Sequence, residues 1–185
     1  MNDILKTAKA AIAALLTRKD TVMVAIEGKC TSGKTTLAAG LAEIYDCNVF
    51  HMDDFFLRPE QRTQDRFAEI GGNVDYERFR SEVLEPLQSD LPFTYRPFLC
   101  SSQTLGDPIF VTQKRLTIVE GTYSLHPYFE DPYDLIILLT VTEETQRQRI
   151  LNRPQFLHDR FFNEWIPMEN RYFEALALSP DVLIL

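Results

Sequence analysis

The stretch "GKCTSGKT", Gly28 to Thr35, lies between an apolar run, "TVMVAIE" (21–27), and an alanine-rich segment, "TLAAGLAE" (36–43). It fits the pattern G-x-x-x-x-G-K-[ST] without a gap. Glycines at these places let backbone N–H groups turn inward around phosphate oxygens, at a helix N-terminus that already favours anions. In this pattern Lys34 is expected to reach the β- and γ-phosphates of ATP, and the Thr35 hydroxyl to hold Mg²⁺. Gly28, Thr31, Ser32, Gly33 and Thr36 complete the expected ATP-binding set. The competing explanation is a flexible strand-to-helix turn. The context that the phosphate site requires, a strand before and a helix after, is present on both sides.

Working outward, the chain has 185 residues, enough for one domain with a sizeable core, and one domain over 1–185 is expected. Hydrophobic residues make up 45% and charged residues 25%, so composition gives no case for disorder. A formal net charge of -8 argues against a nucleic-acid surface, which needs a basic patch to release counterions. An acidic protein that binds an anion must concentrate its cations in one cleft, so the positions of Lys and Arg are informative. No apolar stretch reaches the length of a membrane span. The first residues carry Asp3 and several lysines among the apolar positions, unlike a secretory leader, and a cytoplasmic protein is expected. Cys30, Cys47 and Cys100 show no zinc or CxxC spacing and are expected as free thiols. Composition leaves the oligomeric state open.

Helical spacing predicts an amphipathic helix over residues 3–18 and others over 34–45, 75–87, 142–153 and 160–178. "TVMVAIE", "CNVFH", "RLTIVEG", "DLIILLTV" and "DVLIL" read as five strands, several of them continuous apolar runs suited to burial on both faces. Strands alternating with helices predict a parallel α/β sheet. "LRPEQRTQDRFAEIGGN" (57–73) reads as a mobile loop, and residues 92–111 as a small β-hairpin excursion with its turn near Gly106-Asp107-Pro108.

Polar residues at strand ends define the remaining candidates, because an open α/β sheet places its ligands there. Asp53 and Asp54 follow the second strand. They are either the ordinary acids of a loop start or, for one of the two, a carboxylate held over the cleft to accept a proton from a substrate hydroxyl. If strand alternation continues through the pair, only one points inward. Glu120 ends "LTIVE" and is placed to order Mg²⁺. Arg147 can pair with Glu143 one turn back. Arg149 and Arg153, at i,i+4, repel unless an anion lies near, which favours a lid of arginines closing over phosphates against a solvated helix face. Arg160 is a further candidate for that lid. A Ras-type base reader, Asn-Lys-x-Asp, and the Leu-Ser-Gly-Gly of transport ATPases are both absent.

Together "GKCTSGKTT", "DDFF", "VDYERF", "IVEGTYSLHP", "YDLIILL", "RQRILNR" and "WIPMENRYF" resemble the uridine kinase and nicotinamide riboside kinase group of P-loop kinases, from Thr21 to the end of the chain. The resemblance implies a P-loop fold with a five-stranded parallel sheet flanked by helices. It also implies transfer of the γ-phosphate of ATP to a nucleoside 5′-hydroxyl. It makes Asp53 the catalytic base, Glu120 a magnesium-side residue and Asp75 a binder of ribose hydroxyls, where the residues alone suggest a helix N-cap. Arg149 and Arg153 become the lid, spanning about 149–162, with a substrate-side loop and hairpin over about 54–110. Where uridine kinases carry a histidine and, two positions on, an arginine to read the pyrimidine, this chain has Cys100 and Ser102. Tyr95 is left either to stack on a base or to pack the hairpin. Two other functions remain open. One is a kinase for a non-nucleoside such as pantothenate or a sugar phosphate; the other is a nucleotide-binding regulator without catalysis.

Overall fold

The computed structural model describes residues 2–89, 91–176 and 182–185. In chain order its strands are β1 (Val22–Gly28), β2 (Cys47–His51), the short β3 (Phe93–Tyr95), β4 (Phe98–Leu99), β5 (Thr104–Leu105) and β6 (Ile109–Val111), then β7 (Leu116–Glu120), β8 (Leu135–Leu139) and β9 (Leu183–Ile184). Five of them form one parallel sheet in the order β2-β7-β1-β8-β9. The expected five-stranded parallel sheet is therefore present, and the expected final strand is shorter, with Asp181 outside the described residues.

Burial explains why the strands are apolar throughout. Val22, Val24 and Ile26 of β1 pack on one face with Ala8 and Ile12 of α1 (Asn2–Leu16) and Leu37 and Leu41 of α2 (Lys34–Ala42). Met23, the alternate residue, joins the opposite layer, where Phe50, Phe55, Phe79, Val119 and Tyr172 are buried. A side chain of this size contributes roughly 1.5–3 kcal/mol when fully buried, so both faces need a covering layer. Among the described residues, no helix is long and apolar enough to cross a membrane.

The second layer is built from interrupted helices. Residues 76–87 run as an α-turn (Tyr76–Phe79), a π-turn (Arg80–Leu84) and a last α-turn (Glu85–Leu87). Residues 158–175 repeat the scheme, with His158–Arg160, a π-turn at Phe161–Trp165 and an α-helix at Ile166–Ala175. Pro86 and Pro167 lie just beyond the two π-turns. A proline ring clashes with the carbonyl four residues back, which here belongs to Glu82 and to Asn163, each at the centre of its π-turn. Widening the turn to i→i+5 bonding relieves that clash without ending the helix. Residues 177 and 178, included in the sequence-based helix, lie outside the described residues.

Two expectations change. The excursion at 92–111 has its turn at Cys100–Gln103, where Gln103 adopts φ 58, and pairs β4 with β5 and β3 with β6. Gly106-Asp107-Pro108 instead forms the break between the two short ladders, because Pro97 and Pro108 cannot donate to either. The 57–73 segment, expected as a loop, carries secondary structure of its own. It carries a 3-10 turn (Pro59–Gln61) and a helix (Gln64–Ala68) capped by Thr63, and Arg62 donates to the Leu57 carbonyl.

A close backbone junction lies at Gly121, at φ +139, just after β7. A Cβ there would lie 2.6 Å from Met52 Cβ and 3.2 Å from Met52 N. Gly121→Ala is expected to cost about 2–4 kcal/mol through strain and overpacking. Urea unfolding checks this; an unchanged midpoint would show that the junction tolerates a side chain.

Candidate active site

The loop from β1 to α2 is shaped by three left-handed or near left-handed residues: Gly28 (φ 152), Thr31 (φ 64) and Gly33 (φ 105). Gly28 has no room for a side chain, since a Cβ would meet the Leu139 carbonyl oxygen at 2.5 Å. Lys34 is buried and folds back on the loop, donating to the carbonyls of Gly28 (2.7 Å) and Lys29 (3.0 Å) and to Thr122 Oγ1 (3.2 Å). Thr31 Oγ1 and Ser32 Oγ are buried with no hydrogen-bond partner. Polar atoms are not left orphaned in this way without cost, and a bound phosphate would satisfy both. The first N–H groups of α2 add further donors at the same place.

The strand tips converge beside this loop. Thr35 Oγ1 donates to Glu120 Oε1 at 3.1 Å, and His51 Nδ1 lies 2.5 Å from the same oxygen. That hydrogen bond to Glu120 is the main reason the His51 pKa is raised. Asp53 and Asp54 sit on a 3-10 turn (Met52–Phe55) rather than on a continuing strand, so the turn, not strand alternation, points them apart. Asp53 reaches solvent but is enclosed by protein; desolvation, then the Glu120 charge, raises its carboxyl, while Lys34 opposes. Asp54 turns the other way, accepting a long 3.4 Å hydrogen bond from the Tyr95 hydroxyl.

The structure does not bring every expected site residue to this point. Asp75 is buried and caps the helix at Tyr76–Phe79, accepting from Arg78 N (3.2 Å) and from Gln61 Nε2 (2.8 Å). Arg78 links it back to the site by donating to the Asp54 carbonyl at 2.8 Å. Tyr95 is buried, edge-on to Phe50 and stacked on Phe55. Arg149 donates to the Thr31 carbonyl at 2.6 Å, so it already touches the loop. Arg153 lies over the Phe161 ring at 5.7 Å, yet with Arg149 it lines a cavity of about 460 Å³ that also contains residues 31–36. Arg160 pairs with Glu164 and the Trp165 ring. Arg147 lies over Phe162 at 5.1 Å rather than against Glu143.

Two acids were missed from sequence. Glu27, fully buried at the end of β1, accepts from Gly28 N (2.9 Å), Leu125 N (3.2 Å), Ser124 Oγ (3.3 Å) and Tyr172 Oη (2.8 Å). Desolvation pushes its pKa up to about 7, against the pull of those donors and of Lys34. The signal was available: "VMVAIE" ends in an acid just as "LTIVE" does. Glu169 is also buried and accepts from Cys30 N at 3.0 Å, while its neighbour Asn170 accepts from Lys29 Nζ at 2.7 Å. Burial and Glu169 push the Cys30 thiol up to about 12, so it is an inert thiol. No spacing in the last helix marks Glu169 out.

These residues fit a magnesium nucleotide. Among the described residues no group of three or more His, Cys, Asp or Glu is placed to cage a metal. One hydroxyl and one carboxylate, Thr35 and Glu120, suit Mg²⁺, which keeps several waters and binds through few protein oxygens together with phosphates.

No protein-family model matches the sequence, and no curated protein matches it. Among solved structures, a possible uridine kinase from Bacillus stearothermophilus matches with a TM-score of 0.69 at 19% identity, over 100% of this chain and 98% of that one. A provisionally designated fructose transport system kinase from a Silicibacter species matches with a TM-score of 0.75 at 24% identity, over 98% of each chain. The likeness is one of fold: the chain shares with them a five-stranded parallel sheet flanked by helices.

Glu27 yields a pH prediction. Its pKa is raised from about 4.5 unfolded to about 7 folded, so the folded state holds a proton that the unfolded chain releases. That contribution is complete below about 4.5 and is lost as pH rises through about 7. The loss is on the order of 3 kcal/mol. Glu27→Gln removes the titration, so its stability is expected to change less between about pH 5 and about pH 8 than that of the wild type. Equal changes in urea midpoint for the two proteins would place the titration elsewhere.

Proposed function

We propose that the protein is an ATP-dependent kinase that transfers the γ-phosphate to a small-molecule hydroxyl, with the 5′-hydroxyl of a ribonucleoside as acceptor. The observation that supports it most is the position of Asp53. It stands free of hydrogen-bond partners among the described residues, beside Glu120 and within reach of the Lys34 charge, at the edge of a loop with two orphaned hydroxyls. A nucleotide-binding regulator needs no such carboxylate.

In this reading Asp53 accepts the proton as the acceptor O–H bond breaks, the new O–P bond forms, and the bond from the γ-phosphorus to the bridging oxygen breaks to leave ADP. A carboxyl held above its usual range is the stronger base for that proton. Lys34 exchanges its carbonyl partners for phosphate oxygens. Thr35 and Glu120 would hold Mg²⁺, which would supply charge neutralisation on the phosphates. Arg149 and Arg153, on a lid over about 149–162, stabilise the group in transfer. Residues 54–110 form the acceptor side of a single kinase domain over 1–185, which works in the cytoplasm.

The burial of Tyr95 against Phe50 and Phe55 favours a second reading of the acceptor. Without that ring as a stacking platform, and with Cys100 and Ser102 on the excursion, a non-nucleoside of the pantothenate or sugar-phosphate type also fits. ADP release measured across nucleosides, vitamins and sugar phosphates separates the two. Turnover with nucleosides is expected; turnover confined to the other compounds overturns the nucleoside assignment, and none with any overturns the kinase.

Asp53→Asn keeps the size and removes the proton acceptor. The expected result is a fall in kcat of roughly 10²–10⁴-fold with ATP affinity little changed. Asp54→Asn, which alters only the side facing Tyr95, is expected to be much milder. Kinetics with calorimetry for ATP check both; if Asp54→Asn is the crippled variant, the base has been assigned one position too early.

A further inference from the structure

The resemblance noted above begins at Thr21 and leaves α1 without a role. Its packing is specific. Ala8 and Ile12 are fully buried against the sheet, and Tyr45 donates to the Lys9 carbonyl at 3.0 Å. Leu5 lies so close to α2 that a Cβ on Gly40 would meet its methyl carbons at 3.3 Å. This brings the first turn of α1 to the rim of the phosphate loop. Ile4 and Leu5 line the same cavity of about 460 Å³ as residues 31–36.

The cavity has two chemically different sides. Ile4, Leu5, Leu37 and Leu139 are aliphatic, and Arg149 and Arg153 are cationic. The triphosphate of a nucleotide occupies the loop, so whatever fills the rest of this cavity is joined to it. A planar heteroaromatic ring suits the aliphatic side, because aliphatic carbon covers its apolar face, while the arginines are left to the phosphates. We infer that α1 completes the base subsite for the phosphate donor, with Ile4 as a specificity-determining platform beneath the purine. The inference rests on the nucleotide reading of the loop and adds to it a binding surface from outside residues 21–185. Leu5 serves chiefly to fix α1 on α2; Ile4, only partly buried, is the contact that a substitution reaches without dismantling the core.

The test compares a ligand that has a base with one that lacks it. Calorimetry in Mg²⁺ would measure ATP and inorganic tripolyphosphate against wild type, Ile4→Asn and Ile4→Val. Ile4→Asn is expected to weaken ATP about 5–10-fold while tripolyphosphate changes by less than about two-fold, since a loss of apolar contact is felt only by the base. Ile4→Val is expected to keep ATP within about two-fold. Equal weakening of both ligands overturns the inference, because Ile4 would then act through the loop's shape, as would unchanged ATP affinity in Ile4→Asn. A wild type that binds neither ligand overturns the nucleotide reading itself, and a wild type that binds both equally overturns the base subsite alone.

Discussion

The carboxylate of Glu27 holds together the parts on which the site depends. It accepts one hydrogen bond from the first glycine of the phosphate loop, two from the segment after β7 and one from the last helix. A buried charge without partners is strongly unfavourable, so these four donors must stay near one another for the acid to stay buried. The segment after β7 also carries Thr122, which donates to the Gly28 carbonyl and accepts from Lys34. The loop is therefore braced from behind by an acid and closed in front by a lysine. Its outer turn is held a second time through Cys30 and Lys29, by Glu169 and Asn170. Flexible residues have been given a fixed shape by neighbours far along the chain.

Much of this arrangement could be read from sequence because it depends on rules local to a few residues. The glycines at 28 and 33 are required by backbone geometry, and both have the positive φ that geometry demands. The strands were legible because a sheet covered on both faces excludes polar residues along its length. Glu120 stood out against that apolar background. The parts that were hidden depend on contacts between distant segments. Tyr95 could be placed on the excursion, but only packing shows its ring enclosed by Phe50 and Phe55. The turn at 100–103 contains neither glycine nor proline, so the stronger turn signal at Gly106-Asp107-Pro108 drew the hairpin to the wrong centre. Asp53 and Asp54 were placed correctly after β2, yet their separation comes from a 3-10 turn that the apolar pattern does not encode.

The net charge of -8 is compatible with an anionic ligand because the charge is unevenly placed. Lys34, Arg149 and Arg153 gather at one cavity, whereas Arg58, Arg66, Arg78 and Arg80 are matched by the carboxylates of Glu60, Glu77, Asp75 and Glu130. The second group is committed to structure and the first is left to meet a ligand. The exposed pairs among these, such as Arg58–Glu60, contribute little to stability, whereas Arg78–Asp75 is buried and fixes Arg78 within the packing.

The paired π-turns have a consequence for how this chain is compared with others. Each one adds a residue to a helix without lengthening its path in proportion, so the faces downstream are rotated relative to an uninterrupted helix. Downstream of the wider turn at Phe161–Trp165, Glu169 and Tyr172 face the interior from the helix at Ile166–Ala175. A homologue that lacks Pro167 has no need of that extra residue. Aligned position by position, it would be out of step across the whole segment that grips the phosphate loop, and a single-residue gap placed just before the proline would restore the match.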